Sequence, residues 1–201
     1  MGRVSGYEYD IFISYSRYGS AQKWLLNHFY SKLKDCLADE IAPAPRVYVD
    51  REMARGEHWP SSLQRALLRS KIMLQVLHPP YFESKWCMAE WLSMRERQNR
   101  LGLASVEAPQ GLIYSVLYGD SDNFPIEARE VSWVDFKDFA NPDMAFQQTE
   151  KFASFHWKVR DLARDLVELL KQVPEWQPDW PIVEKPDPVL MPPPKLPRFR
   201  R

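Results

Sequence analysis

The sequence predicts an α/β fold in which helices cover both faces of a five-stranded parallel sheet. Short, nearly continuous apolar segments alternate with longer segments whose apolar residues recur at helical spacing. Strands that are apolar on both faces are typical of parallel sheets, and regular alternation of strands with helices implies parallel pairing. For five strands, the simplest arrangement is the flavodoxin-like order 2-1-3-4-5.

The five strands are predicted from runs rich in β-branched and aromatic residues. The clearest is the first, with the sequence YDIFISY, which is nearly continuously apolar. The predicted strands are Tyr9–Tyr15, Arg46–Val49, Ile72–Leu77, Gly111–Tyr118 and Val131–Phe136.

Four helices are predicted between and after these strands. Ala21–Leu37 and Thr149–Val173 show apolar stripes at helical spacing. Another helix begins at Pro60, which suits a first helical position, and runs to about residue 70. Ser84 is placed to cap a helix that runs to about residue 101.

Composition narrows the classes of function. Lys plus Arg and Asp plus Glu both number 27, so the formal net charge is zero, which argues against a broad basic face for nucleic acid. Cys36 and Cys87 stand in no metal-ligand spacing, so no metal site is expected, and two lone thiols fit the cytoplasm. No apolar run approaches the roughly 20 residues needed to span a bilayer, so no membrane contact is expected.

The composition changes after Val173, where nine of the last 28 residues are proline. Proline removes backbone donors and fixes φ, so residues 174–201 are predicted to form an extended tail after a domain at 7–173. Three roles stay open for this tail: a spacer, a peptide that docks to a partner, or a segment that folds back onto the domain. Its apolar anchors are Trp176, Trp180, Leu190 and Leu196.

Three segments, in the expected order, resemble one family. Tyr9–Arg17 (YDIFISYSR) resembles the first conserved box of TIR (Toll/interleukin-1 receptor) domains. Asp50–Trp59 (DREMARGEHW) is similar to the loop between their second strand and second helix, except that Arg55 stands where the family often has proline. Tyr81–Trp91 (YFESKWCMAEW) resembles the start of their third helix.

The resemblance implies one of two activities. Some TIR domains assemble signalling complexes, and others cleave NAD+ at the nicotinamide–ribose bond, often only after self-association. The enzymatic members carry a glutamate in the third helix six residues after a serine, and here Glu90 follows Ser84 at that spacing. The chain thus resembles the NAD-cleaving TIR proteins, and the resemblance implies a bacterial effector or signal generator in innate immunity and antiphage defence. NAD+ would be the substrate, and no cofactor is implied.

The chemistry is compatible with a single carboxylate. Nicotinamide leaves NAD+ as a neutral molecule and needs no general acid, while positive charge develops on the ribose. A carboxylate facing that charge stabilises it. Glu90 is therefore the candidate catalytic residue, with Trp86 one helical turn before it as an apolar wall. The candidate substrate contacts are Ser14, Tyr15, Arg17, Asp50, Trp59, Ser84 and Trp86.

Other interpretations stay open. A glutamate in the second turn of a helix is usually a solvated residue or an ion-pair partner. The chain could be a non-enzymatic adaptor that binds other TIR domains through Asp50–Trp59, or, less in keeping with the motifs, a nucleotide-processing enzyme of related architecture. In both TIR hypotheses we expect self-association, and a separate sensor or activator protein is expected to contact residues 174–201.

Overall fold

A computed structural model describes residues 6–50, 61–122, 124–129 and 132–184 of the chain. Five parallel strands form one sheet in the order β2-β1-β3-β4-β5, which confirms the predicted fold class. The strands are β1 Tyr9–Tyr15, β2 Val47–Val49, β3 Ser70–Leu77, β4 Ile113–Leu117 and β5 Trp133–Asp135.

The helices follow the predicted alternation with the strands. The first predicted helix consists of α1 Ala21–Trp24, a π-helical turn at Leu25–Phe29 and α2 Tyr30–Glu40. The other helices are α3 Ser61–Leu68, α4 Pro79–Glu83, α5 Lys85–Arg100, α6 Ile126–Arg129 and α7 Glu150–Leu170. Two 3₁₀ turns, Lys137–Phe139 and Met144–Gln148, precede α7.

Two short helices were not predicted. The prolines after β3 were interpreted only as the end of that strand, yet α4 begins at Pro79. Proline has no backbone N–H to leave unpaired at a first helical position, so the same residues that end a strand also suit a helix start. The other unpredicted helix is α6.

The sheet brings three strand ends to one edge. Because β1 pairs in parallel with both β2 and β3, Tyr15, Val49 and Leu77 end their strands on the same side of the molecule. Helices α3 and α5 pack against the central strands, whereas α2 packs against α7. The residues that follow β1, β2 and β3 therefore lie near the first turns of α5. None of the described helices is long and apolar enough to cross a bilayer.

The chain folds back onto the domain after α7. Trp176 Nε1 donates a hydrogen bond of 3.1 Å to the carbonyl of Leu68 at the end of α3. Further along, the amide of Val183 donates one of 2.8 Å to the hydroxyl of Ser93 on α5. Residues 174–183, which we call the strap, thus lie against α3 and α5. Leu190 and Leu196 lie outside the described residues.

Candidate active site

Helix α5 carries Glu90 into the interior. Ser84 caps the helix, and its hydroxyl accepts a hydrogen bond of 3.4 Å from the amide of Cys87. The cap sets where the helix begins, and Glu90 follows in its second turn on the buried side. Only 6% of Glu90 is exposed to solvent. This carboxyl group is therefore not the solvated surface glutamate that its helix position alone would suggest.

A strand hydroxyl meets the Glu90 carboxyl. Ser14 Oγ donates a hydrogen bond of 2.6 Å to Glu90 Oε2, and Ser14 is 1% exposed. Ser14 lies one residue before the end of β1, so the bond joins the central strand to α5. Ser14 was predicted to contact substrate, and in the structure its hydroxyl is bound to the carboxyl group of Glu90.

The surroundings of Glu90 disfavour its charge. Burial raises the pKa of Glu90 from 4.5 to about 8, because a carboxylate loses its hydration inside the protein. The Ser14 hydrogen bond acts in the opposite direction, since it favours the ionised form. Of the charged neighbours, Asp50 raises the pKa and Arg17 lowers it. At neutral pH the group is therefore largely protonated and becomes a carboxylate as the pH rises.

The ends of β1 and β2 are joined beside this carboxyl. Arg17 Nη2 lies 2.9 Å from Asp50 Oδ2, and both side chains are partly exposed. The Tyr15 hydroxyl donates a hydrogen bond to the backbone carbonyl of Asp50. The structure thus brings Tyr15, Arg17 and Asp50 together at the strand edge, as their positions after parallel strands predict.

The three remaining residues predicted to contact substrate are Trp86, Ser84 and Trp59. Trp86 is on α5 one turn before Glu90 and is partly exposed. Ser84 serves as the helix cap already described. Trp59, with the rest of 51–60, lies outside the described residues.

Three buried residues that were not predicted complete the site. In the sheet, Ser14 is paired in register with Gln75 of β3, which is paired with Ser115 of β4. Ser115 Oγ donates to Gln75 Oε1 at 3.0 Å, and Gln75 Nε2 donates to the Tyr81 hydroxyl at 2.9 Å. The Tyr81 hydroxyl lies 2.7 Å from Ser14 Oγ. A continuous row of hydrogen bonds therefore crosses three strands and ends at Glu90.

A single polar residue interrupts an apolar stretch near the carboxyl end of each of three strands, in the sequences FISY, LQVL and YSVL. Buried polar side chains need hydrogen-bond partners, so these interruptions together were a detectable sign of a polar row.

Two cavities of the described residues lie away from Glu90. One, of about 760 Å³, opens between α5, the 104–111 loop and the β4–β5 edge, and the other, of about 360 Å³, lies between α3 and the strap. Within the described ranges, no cluster of three or more His, Cys, Asp or Glu side chains is arranged to hold a metal ion.

The fold and the row of hydrogen bonds that ends at Glu90 define a flavodoxin-like α/β domain with a buried carboxyl group at the carboxyl edge of its sheet. The sequence model of the family described as "TIR domain" matches residues 11–149, which is more than half of the chain. The chain therefore belongs to the TIR domain family.

The solved structures that are similar to the chain include TIR domains from two proteins. The TIR domain of the Toll-related receptor TRR-2 from Hydra magnipapillata shares 19% identity at a TM-score of 0.47, over 79% of this chain and 98% of that one. The TIR domains of the activated Roq1 resistosome, which recognises the pathogen effector XopQ, share 19% identity at a TM-score of 0.42, over 78% and 84%. Similarity at this level says nothing about activity. A search of curated proteins finds no match.

Proposed function

We propose that this protein is a TIR-domain NAD+ nucleosidase that acts as an effector or signal generator in innate immunity. Cytoplasmic antiphage defence in a bacterium is the setting we propose. One observation carries the proposal: in a TIR domain, the carboxyl of Glu90 is buried in α5 and bound by Ser14 at 2.6 Å. Such an environment is typical of a functional carboxyl group, since its pKa is raised far from the ordinary value.

The proposed reaction breaks the bond between the ribose C1′ and the nicotinamide nitrogen. The bonding electron pair leaves with nicotinamide, which becomes neutral, and positive charge develops on the ribose ring. Ionised Glu90 faces and stabilises that charge. Water then adds to C1′ and loses a proton to the solvent, which yields ADP-ribose, whereas attack by a group of the substrate itself would yield a cyclic product.

Six residues are proposed to contact the substrate: Tyr15, Arg17, Asp50, Trp59, Ser84 and Trp86. Arg17 is partly exposed, and its planar fork suits the pyrophosphate once it exchanges its bond with Asp50. Tyr15, Trp86 and, from its position in the sequence alone, Trp59 are proposed to pack against the rings of the substrate. Ser84 and Asp50 are also proposed to contact the substrate. Ser14 acts by holding Glu90.

Assembly is part of the proposal. Because Glu90 is 6% exposed in the single chain, substrate access requires the surrounding segments to rearrange. We propose that TIR–TIR self-association supplies this change, and that a separate sensor or activator protein promotes it through residues 174–201. The strap supports this route, because it contacts α5, the helix that carries Glu90.

The test measures nicotinamide release from NAD+ by the purified protein, alone and fused to an oligomerising domain, with the product identified by mass spectrometry. Glu90→Gln keeps the shape and the Ser14 contact but removes the charge, so release should fall about 100-fold or more. Glu96→Gln on the same helix is the matched control, since that side chain is 48% exposed and pairs with Arg100. Equal release by the Glu90→Gln variant and the wild type would refute the role of Glu90.

A non-enzymatic TIR adaptor is the second candidate. The specific observation in its favour is the burial of Glu90, because a carboxyl group bound by Ser14 inside the domain also fits a purely structural role. Exposed Trp157 and Met144 offer apolar contact surface for a partner. Absence of nicotinamide release from enforced oligomers, together with formation of mixed TIR complexes, would favour the adaptor.

A further inference from the structure

The hydroxyl of Tyr81 lies at the centre of the polar row behind Glu90. It is within hydrogen-bond distance of Ser14 Oγ at 2.7 Å, of Gln75 Nε2 at 2.9 Å and of the Cys87 carbonyl at 3.4 Å. Tyr81 is completely buried, so these three groups have to satisfy its hydroxyl without help from bulk water.

Gln75 restricts the direction of the Tyr81 proton. Its carbonyl oxygen accepts from Ser115, which turns its amide N–H towards the Tyr81 oxygen. The amide NH2 group of Gln75 donates hydrogen bonds and cannot accept one. The Tyr81 hydroxyl can therefore donate only to Ser14 Oγ or to the Cys87 carbonyl.

The first proton position suits ionised Glu90. A carboxylate only accepts hydrogen bonds, so the Ser14 hydroxyl has to donate to Glu90 Oε2. Ser14 Oγ then accepts from Tyr81, whose own oxygen accepts from Gln75. All donors in the row point towards the negative charge, and each bond strengthens the next.

The second proton position suits neutral Glu90. A protonated carboxyl group can donate to Ser14 Oγ, which leaves the Ser14 proton free to turn to the Tyr81 oxygen. The Tyr81 oxygen then accepts from both Ser14 and Gln75, and its own proton turns to the Cys87 carbonyl. At 3.4 Å this last bond is the longer of the two choices, so it is the weaker one.

We propose that Tyr81 is a positioning residue whose hydroxyl turns between Ser14 and the Cys87 carbonyl and so keeps the hydrogen bonds of buried Glu90 complete in both protonation states. The proposal rests on the nucleosidase function and deepens it, because it explains how a buried carboxyl group changes its charge without movement of any heavy atom. An arrangement with a single proton position would leave a buried group unpaired in one of the two states.

Other titratable groups also face Glu90 and are kept unchanged in the test. Asp50 and Arg17 act on it from the ends of β2 and β1. Burial raises the pKa of Tyr48 on β2 and of Cys87 on α5, and the charge of Glu90 adds to both shifts. None of these four groups is altered in the variants below, so a shift in Glu90 ionisation reports on the polar row and not on a changed neighbouring charge.

The experiment follows the ionisation of Glu90 directly, by the carbon-13 carboxyl resonance in protein labelled at glutamate, assigned with Glu90→Gln. Tyr81→Phe removes the donor that supports Ser14 in the ionised state. We expect the midpoint of Glu90 ionisation to rise by about one pH unit, which is tenfold in the ionisation constant. Tyr118→Phe is the matched control, because Tyr118 is also buried and loses one hydroxyl contact, to Ser20 at 2.8 Å.

An unchanged midpoint in folded Tyr81→Phe would overturn the proposal. If that variant does not fold, Gln75→Met is used instead, since loss of the donor to Tyr81 weakens the row and should raise the midpoint by a smaller amount. Nicotinamide release measured against pH separates a failure of the Tyr81 proposal from a failure of the proposed nucleosidase function. The release profile should shift with the resonance if the protein is a nucleosidase, whereas a resonance shift without any release from oligomers would retain the Tyr81 proposal and refute the proposed function.

Discussion

The Ser14 hydroxyl lies 2.6 Å from Glu90 Oε2 and joins the central strand of the sheet to helix α5. This hydrogen bond favours the ionised carboxyl, yet burial outweighs it and raises the pKa of Glu90 to about 8. The domain therefore holds a group whose ionisation is costly in the folded state, and this makes folding sensitive to pH.

The first prediction concerns stability. Below pH 4.5 Glu90 is protonated in both the folded and unfolded chain, and its contribution to stability is fully present. Between pH 4.5 and about 8 the unfolded chain loses the proton and the folded one keeps it, so that contribution falls by about 1.4 kcal/mol per pH unit. Glu90→Gln should therefore become more stable relative to wild type as pH rises, in urea unfolding at pH 5 to 8. Glu96→Gln should follow the wild type, and parallel curves for all three proteins would contradict the prediction.

The second prediction concerns the two charges at the strand ends. Asp50 raises the pKa of Glu90 and Arg17 lowers it, so neutral replacements should act in opposite directions. Asp50→Asn should lower the midpoint of Glu90 ionisation and Arg17→Gln should raise it, each by roughly half a pH unit because both side chains are partly exposed and screened. The carbon-13 titration measures both shifts. Arg100→Gln at the other end of α5 should leave the midpoint unchanged, and shifts of the same sign for Asp50→Asn and Arg17→Gln would show that these charges do not govern Glu90.

The fold was predictable because its pattern is local. Each strand is a run of apolar residues, and β1 was predicted at Tyr9–Tyr15 with its observed bounds. Glu90 became the candidate catalytic residue through the family resemblance, because it follows Ser84 by six residues as in the enzymatic members. Its burial was not predictable, since that depends on which face of α5 meets the sheet.

The polar row that ends at Glu90 could not be predicted from local sequence patterns. Gln75 and Ser115 come together only through strand register, which an apolar run does not encode when both faces are buried. Tyr81 was missed as part of the row because it lies on the unpredicted helix α4. Single polar residues inside several buried strands therefore indicate hydrogen bonds between those strands.

The third prediction concerns the strap. The Trp180 ring is buried, and the Arg97 guanidinium lies 4.9 Å from the centre of that ring. The same guanidinium donates a hydrogen bond of 2.8 Å to the Ser70 carbonyl. Trp180→Ala would remove the ring that covers a buried cation, and should lower the free energy of unfolding by about 3–5 kcal/mol in urea unfolding at pH 7. Trp157→Ala is the control, because that ring is 57% exposed and its loss should change stability by less than about 0.5 kcal/mol. Similar unfolding midpoints for the two variants would mean that Trp180 contributes no packing energy.

The fourth prediction separates the strap from the rest of the tail by truncation. A chain that ends after residue 184 keeps the contacts of Trp176 and Trp180, so its free energy of unfolding should match that of the full chain. A chain that ends after residue 173 loses them and should unfold about 3 kcal/mol more easily, since a buried tryptophan is removed. Because the Glu90 network lies entirely before the strap, the chain ending at 184 should also release nicotinamide like the full chain when both are fused to an oligomerising domain. Equal stability of the two truncated chains would show that the strap is only a spacer. Loss of release in the chain ending at 184 would instead place part of the active assembly in residues 185–201.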